Sequence, residues 1–458
     1  MAGAAALGGV AARALPETLL APARPGGLVL PGDPGYDDAR TNFNTRFRVF
    51  PASIQFCGTT DEVRGALARA RRLGQEIRAR CGRHSYAGFS LVDGGAIIDV
   101  SPMREIRVDA KRGVATIGAG AKLAHVYESL WRHSVTIPAG TCPSVGIAGL
   151  ALGGGIGYLT RSLGLTCDWL EGVEIVTADG DVVHASAKEN ADLFWALRGG
   201  GGGNFGIVTA FRFRVHPMAD VSIFRIEWKW RDAAEAIDAW QRWTAEVDER
   251  LTPSFEAQGA RGESLAAVGQ FTGPHAELAA LLAPLLRVGT NPSLMSRRVP
   301  FIEAVRYFAG RPLKGTAFKR TGAYVYGRLP PEGLAVLVER LSRAPGEANN
   351  VELLALGGAS ARVAADATAY VHRKAAYLIQ YRATWNRPEG EAANVEWADA
   401  TRAALLPYTV GNYVNFPDTA IADWARACYG ANLARLAAVK AKYDARNVFR
   451  FPHAIPTA

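Results

Sequence analysis

The apolar positions between residues 59 and 74 have helical spacing and predict an amphipathic helix. Its apolar residues recur three or four positions apart on one face: Val63, Leu67, Ala70 and Leu73. Residues 59–62 supply a capping box at the start of this helix, and Gly74 ends it.

Short apolar runs of the kind found in strands recur along the rest of the chain. Three of them lie in the first third of the chain, around Ile77 and at 96–100 and 114–117. Beyond residue 219, strand patterns alternate with helical ones, with strands at 224–230, 323–326, 351–356 and 377–384 and helices at 232–247 and 331–342. We therefore expect a domain built on an antiparallel sheet with helices on one side.

These patterns predict an α+β protein with more than one domain. The 458 residues exceed what one ordinary core holds. A first domain is predicted at 36–218, a second at 219–410, and a C-terminal segment of different pattern at 411–458. Residues 1–35 are predicted to be a tail or the remnant of an export signal, because 1–14 are small and apolar and end in a cleavage-like Ala12-Arg13-Ala14.

Composition excludes several classes of protein. With 49% hydrophobic and 21% charged residues, the chain has the composition of a globular protein. The net charge of +9 is spread over many arginines, so we interpret it as a solvated basic surface and expect no nucleic-acid partner. No stretch is long and apolar enough to span a membrane. The five cysteines are an odd number without CxxC spacing, which predicts neither a disulfide scaffold nor a metal site.

Three glycine-dense segments, at 146–157, 164–165 and 199–206, have apolar flanks. A flexible linker would have polar flanks, so we expect the backbone there to approach another group closely. The loop at 80–88 adds arginines to its glycines and suits a pyrophosphate, although an ordinary turn with a structural His84 fits the loop equally well. Cys142 stands at the mouth of a glycine turn, where a thiol is exposed and reactive.

Taken together, these segments closely resemble the berberine-bridge-enzyme-like branch of the vanillyl-alcohol-oxidase flavoprotein superfamily. The resemblance runs from about residue 42 to residue 452. Further matching segments follow in the family's order at 152–157, 161–168, 192–199, 203–209, 413–415, 429–432, 440–444 and 447–449. It implies an FAD-binding domain of the PCMH type, with two α/β subdomains, at 36–218. The domain at 219–410 would then bind the substrate, and 411–458 would complete the FAD site.

The resemblance also implies that FAD is bonded covalently at two points. His84 matches the histidine that bonds the flavin C8 methyl group, and Cys142 matches the cysteine that bonds C6. The other residues implied in FAD binding are Arg80, Cys81, Gly82, Arg83, Ser85, Tyr86, Thr141, Ser144, Val145, Gly146, Gly149, Gly153, Gly154, Gly155, Gly157, Asn204, Gly206, Ile207, Val208, Tyr413 and Asn415. Arg83 departs from the family, which has glycine there, but a positive charge beside a diphosphate is electrostatically favourable. Val145 matches the gatekeeper of oxygen-reactive members, which favours an oxidase.

The proton acceptors usual in the family are absent, because Phe416 and Leu378 occupy their positions. Oxidation by hydride transfer usually requires a base for the accompanying proton. Strand alternation offers Glu352, on the same face as Leu354, as a replacement. The other candidates of this kind are Tyr324, Tyr326, Gln380 and Arg382, and an ordinary structural role fits each of them as well.

Three functions therefore stay open. The first is an FAD oxidase that oxidises an alcohol or activated C–H of a bulky substrate by hydride transfer to flavin N5, with oxygen reduced to hydrogen peroxide. The apolar Phe416, Leu378 and Leu354 favour a secondary metabolite as its substrate. The second is an oligosaccharide oxidase acting at the anomeric carbon, with sugar platforms offered by Trp228, Trp230 and Trp385. The third is a flavin-binding protein that has lost turnover.

Overall fold

The computed structural model describes residues 27–259, 262–309, 316–346 and 348–457. The predicted signal remnant at 1–14 lies outside the described residues. The predicted tail at 1–35 extends too far, because residues 27–29 are part of the fold. They form strand β1 (Gly27–Val29), which pairs antiparallel with β2 (Ser53–Phe56).

Two sheets organise the described chain up to residue 214. The first contains β1, β2, β3 (Ile77–Arg80) and β4 (Ala96–Asp99), with β4 parallel to both β2 and β3. The second is antiparallel and runs in the order β5-β6-β10-β8-β9, formed by β5 (Ile106–Asp109), β6 (Val114–Gly118), β8 (Leu170–Val176), β9 (Val182–Ser186) and β10 (Ile207–Arg214). The short β7 (Val135–Thr136) pairs with β11 (His216–Pro217).

Six helices accompany these two sheets: α1 (Tyr36–Ala39), α2 (Thr60–Arg72), α3 (Leu123–Trp131), α4 (Ile147–Leu152), α5 (Thr160–Leu163) and α6 (Ala191–Ala196). The helix expected at 59–74 is α2, with Thr59 as its N-cap. Thr59 accepts from the amide of Glu62 as expected, but the Glu62 carboxylate accepts from Gly58, one residue before the cap.

Seven antiparallel strands form the third sheet, which the sequence predicted in part. Its order is β15-β12-β14-β13-β17-β18-β16, formed by β12 (Asp220–Trp228), β13 (Leu251–Gln258), β14 (Ser264–Phe271), β15 (Ser293–Pro300), β16 (Ala317–Val325), β17 (Asn350–Ala355) and β18 (Tyr377–Trp385). Strands β13, β14 and β15 were not predicted. Pro253 inside β13 obscures its pattern, because proline is unusual within a strand.

Eight more helices belong to the second half: α7 (Ala233–Glu246), α8 (His275–Leu286), α9 (Phe301–Ala309), α10 (Pro331–Ser342), α11 (Ala359–Arg362), α12 (Glu391–Leu405), α13 (Trp424–Tyr429) and α14 (Leu433–Tyr443). Four of them, α7, α8, α10 and α12, share one hydrophobic core with the seven-stranded sheet. The predicted α+β class, with helices covering an antiparallel sheet, is confirmed.

Alternate side chains of the seven-stranded sheet point to opposite faces, and the two faces pack in different environments. Phe255, Leu353 and Ile379 point into the core under the helices. Their neighbours Leu354 and Leu378 pack instead against the core of the first half. Because side chains alternate along a strand, one face of the sheet stabilises its own domain while the other faces the first two sheets.

The C-terminal segment packs back onto the first half of the chain through buried polar contacts. Lys440 Nζ donates to the carbonyls of Asn204 and Phe449, each at 2.7 Å, and pairs with Asp444 at 2.6 Å. The Asn204 side chain accepts from the amide of Ile455 at 2.8 Å. A buried charge is tolerated only when it is paired and hydrogen-bonded, so these contacts fix the segment in place.

One arginine joins the two halves of the molecule. The buried guanidinium of Arg161, in α5, donates to four carbonyls of the second half: Thr244, Val247, Leu251 and Leu356, at 2.8 to 3.1 Å. Hydrogen bonds from a charged donor are the stronger kind, and removing the donor would leave buried carbonyls unsatisfied.

We expect Arg161→Met to lower the free energy of unfolding by about 3 kcal/mol or more, because four buried acceptors lose one charged donor. Thermal and urea unfolding would measure the change. The matched control is Arg242→Met on α7, whose exposed pair with Asp238 should contribute at most about 1 kcal/mol. Equal effects of the two substitutions would contradict a joining role for Arg161.

Candidate active site

Two glycines hold the loop after β3 against the segment that leads into α4. A Cβ on Gly82 would lie 2.2 Å from the Gly146 nitrogen, and a Cβ on Gly146 would lie 2.2 Å from the Cys81 sulfur. No real side chain tolerates such distances, so only glycine lets the two backbones meet here. The Cys81 thiol, which lies against Gly146, donates to the carbonyl of Ala119 at 3.0 Å.

This contact brings His84 and Cys142 to one cavity. His84 Nε2 lies 2.7 Å from the hydroxyl of Ser144, and the Cys142 sulfur lies 3.5 Å from the same hydroxyl. All three side chains line a cavity of about 600 Å³. The two residues that the family resemblance selected are therefore neighbours at one wall.

His84 is held as a neutral imidazole. Its ring stacks on Phe43 with centroids 3.9 Å apart. Burial, with the nearby charges of Arg320 and Lys122, lowers the pKa of His84 to about 3. A neutral ring keeps a nitrogen lone pair available for bonding, which a protonated ring would lose.

The cavity offers a bound FAD an open backbone surface and cationic donors that are unpaired within the described chain. Gly149, Gly202 and Gly203 line it, and a Cβ on any of them would meet no protein atom closer than 3.8 Å. Protein packing therefore leaves the backbone there open to a bound group. Arg80 also lines the cavity and pairs with Asp99 through Nε at 2.6 Å, while its two terminal nitrogens are buried without a partner among the described residues. A diphosphate is the kind of group that satisfies such donors.

The structure brings nearly all the predicted FAD-binding residues to this cavity. Those that line it with His84 and Cys142 are Arg80, Cys81, Gly82, Arg83, Ser85, Tyr86, Thr141, Ser144, Val145, Gly146, Gly149, Gly157, Asn204, Gly206, Ile207, Val208, Tyr413 and Asn415. The exceptions are Gly153, Gly154 and Gly155. Side chains at these positions would collide with Asn415, Tyr370 and Thr166, so protein packing requires glycine at each of them.

Arg83 interacts mainly with protein. Its backbone is left-handed, with φ of 59°, a conformation that favours glycine. Its guanidinium donates to the carbonyl of Asp38 at 2.8 Å and reaches the hydroxyl of Thr41. The expected contact between this charge and a diphosphate is not supported, because the guanidinium is engaged with the segment around α1.

The cavity continues to polar side chains on the seven-stranded sheet. Glu352 on β17 pairs in register with Gln380 on β18, and both line the cavity. Arg382 donates to the Glu352 carboxylate at 2.8 Å. Gln380 is buried, and its amide nitrogen has no partner among the described residues. This part of the cavity can therefore hold hydroxyl or carbonyl groups of a substrate.

Sequence reasoning missed several residues of this cavity. Glu256 on β13 stands in register with Glu352, and burial followed by the charge of Glu352 raises the pKa of Glu256. Tyr158 hydrogen-bonds Ser254 at 2.8 Å and stacks on Phe308 with centroids 3.8 Å apart. The alternation of β13 could have revealed Glu256 had Pro253 not obscured the strand.

Several other candidates do not reach the cavity. Tyr324 is fully buried against Tyr370, and Tyr326 is 48% exposed, because β16 ends at Val325 and the chain turns toward solvent. Leu378 is fully buried in the core, although Phe416 and Leu354 do line the cavity. Trp228, Trp230 and Trp385 lie outside the cavity lining and offer no sugar platform there.

Among the described residues, no helix is long and apolar enough to cross a bilayer. Within the same residues, no group of three or more His, Cys, Asp or Glu side chains could hold a metal ion.

Comparison with known proteins defines the class first. The chain matches the family model described as FAD binding domain at residues 51–186, and the model described as berberine and berberine like at 412–456. It is 43% identical to the FAD-linked oxidoreductase YgaK of Bacillus subtilis, over 94% of this chain and 97% of that protein. The chain is thus an FAD-binding oxidoreductase.

Solved structures agree with this class. BBE-like 1 of Physcomitrella patens is 30% identical, with a TM-score of 0.90 over 94% of this chain and 97% of that one. Glucooligosaccharide oxidase of Acremonium strictum, described with a 6-S-cysteinyl, 8α-N1-histidyl FAD, is 28% identical, with a TM-score of 0.87 over 94% of this chain and 97% of that one. The chain belongs to the berberine-bridge-enzyme-like family of FAD-linked oxidoreductases.

We expect Gly82→Ala to abolish FAD binding, because its Cβ would force the loop carrying His84 away from Gly146. The ratio of flavin absorbance to protein absorbance in the purified protein measures FAD content. Gly65→Ala, at an exposed site on α2 with no atom within 4 Å, is the matched control and should keep its flavin. Full flavin content in Gly82→Ala would show that the contact is dispensable.

Proposed function

We propose that this protein is an FAD-dependent oxidase whose flavin is bonded to both His84 and Cys142. The observation that carries the proposal is the meeting of these two side chains at the hydroxyl of Ser144, in the wall of one cavity. A neutral imidazole and an accessible thiol are suitable nucleophiles for an electron-poor ring. The doubly linked FAD described for the glucooligosaccharide oxidase supports the same arrangement here.

When bound, FAD would accept a hydride from a carbon of the substrate. We propose that oxygen then takes up the two electrons and becomes hydrogen peroxide. The protein's own part is to orient the substrate and accept its proton. Val145 lines the cavity three residues after Cys142, at the position associated with oxygen reactivity. Glu352 is the proposed proton acceptor, and Arg382 holds its carboxylate in place.

The substrate that we propose is a bulky organic alcohol, with a secondary metabolite as the first candidate. Phe416, Leu354 and Phe308 give apolar walls, while Glu352 and Gln380 give hydroxyl-binding groups. An oligosaccharide is the second candidate, and the stacked Tyr158–Phe308 pair supports it as an aromatic surface for a sugar ring. Peroxide-coupled assays with panels of both classes separate these substrates, and turnover with neither would support a flavin-binding protein without activity.

The double linkage predicts a specific pattern in the denatured protein. Wild-type protein and both single variants, Cys142→Ala and His84→Ala, should keep FAD after acid precipitation, because one bond remains in each variant. The double variant should release it. Intact mass and the flavin spectrum measure these outcomes, and flavin released by the wild-type protein would contradict the covalent assignment.

If Glu352 accepts the substrate proton, Glu352→Gln should slow flavin reduction in single-turnover experiments by about 10²- to 10⁴-fold. The measurement uses whichever alcohol the peroxide screen identifies. Glu227→Gln is the matched control, because Glu227 lies on β12 of the same sheet, outside the cavity lining, and is paired with Arg225. An unchanged reduction rate in Glu352→Gln would remove Glu352 as the base.

A further inference from the structure

Five aromatic rings form a continuous path from the flavin cavity to the surface. In order they are Tyr413, Tyr370, Tyr324, His372 and Tyr326. Successive ring centroids lie 6.1, 6.3, 4.1 and 6.3 Å apart. Tyr413 lines the cavity, and Tyr326 is 48% exposed. We call these residues the tyrosine path.

The interior of the tyrosine path carries hydroxyl groups that packing alone does not require. Tyr324 is fully buried and Tyr370 nearly so, and their hydroxyls bond to each other at 2.9 Å. Burial is the main cause that raises the pKa of both phenols, so both stay neutral. Phenylalanine would fill the same space without burying a polar group, which costs free energy. What tyrosine adds is the ease with which its ring gives up one electron.

The outer end of the path has a built-in proton acceptor. His372 Nε2 donates to the carbonyl of Ala427 at 2.8 Å, so in the neutral ring Nδ1 accepts from the hydroxyl of Tyr326 at 2.9 Å. Burial lowers the pKa of His372 to about 4, which keeps the ring neutral. A tyrosine that loses an electron must also lose its phenolic proton, and this hydrogen bond gives that proton a destination.

We propose that the tyrosine path carries oxidising equivalents from the flavin cavity to Tyr326 and so protects the cavity of a peroxide-forming enzyme. The oxidant is a hydroxyl radical, formed when a free ferrous ion gives one electron to peroxide, the O–O bond breaks and hydroxide leaves. The radical then takes up one electron and one solvent proton and becomes water. Tyr326 supplies that electron through the intervening rings, which end unchanged, and its proton passes to His372. A soluble reductant of the ascorbate or thiol class then returns one electron to Tyr326, and His372 returns the proton.

The proposal rests on the proposed function only for the source of peroxide. Its test therefore generates the oxidant with light and needs no substrate turnover. The FAD-loaded protein is illuminated with visible light, which makes the flavin a one-electron oxidant. Ferricyanide serves as the final electron acceptor, and a nitrone spin trap captures tyrosyl radicals. Peptide mass spectrometry then locates the trapped residues. Failure to find an oxidase substrate would leave this experiment unaffected.

In the wild-type protein we expect the trap on Tyr326. In Tyr324→Phe and in Tyr370→Phe it should be lost from Tyr326, because phenylalanine is not oxidised under these conditions. Two variants are used so that a folding defect in one leaves the other decisive, and the flavin spectrum checks that each is loaded. Tyr408, half-buried on the turn after α12, reports oxidants that arrive from solvent and should be labelled equally in all three proteins.

Trapping at Tyr326 that persists in both variants at the wild-type level would overturn the proposal. So would an illuminated wild-type protein in which Tyr326 is labelled no more than Tyr408. Either result would mean that the rings serve packing alone.

Discussion

The contact between Gly82 and Gly146 is the constraint on which the rest of the site depends. It places two loops from distant parts of the chain backbone to backbone, at a distance that no side chain permits. The positions of His84 and Cys142 follow from it, because each stands within four residues of the contact. Their shared neighbour, the hydroxyl of Ser144, is a consequence of this geometry. The contact therefore holds the two proposed attachment residues in fixed positions relative to each other.

The seven-stranded sheet forms the remainder of the cavity, and its two faces lie in different environments. Strand alternation buries one face under four helices and turns Glu256, Glu352 and Gln380 toward the cavity. Arg161 holds this sheet to the flavin-binding half through four carbonyls. Loops therefore form the part of the cavity that contains His84 and Cys142, and strands form the part that contains Glu352 and Gln380. Side chains on the strands can be replaced without disturbing those loops.

Local pattern predicted the class of fold and four of the seven strands in the third sheet. The family resemblance selected the candidate FAD-binding residues, and nearly all of those line the cavity. Local pattern could not predict which residues from distant parts of the chain pack against a given face of a strand. Tyr324 and Tyr326 were candidates because they alternate correctly, yet a long-range contact with Tyr370 buries the first and the end of β16 exposes the second. Glu256 was missed because Pro253 hides its strand. Arg83 was interpreted by its charge, but its guanidinium reaches a segment more than forty residues earlier in the chain.

The buried contacts of the C-terminal segment have a consequence for how the molecule is made. Tyr413 and Asn415 line the cavity, and Lys440 anchors their segment to Asn204. During synthesis these residues leave the ribosome long after His84 and Cys142. The cavity wall therefore stays incomplete while the second half of the chain is being made. A flavin that meets the nascent chain at that stage finds a half-built site.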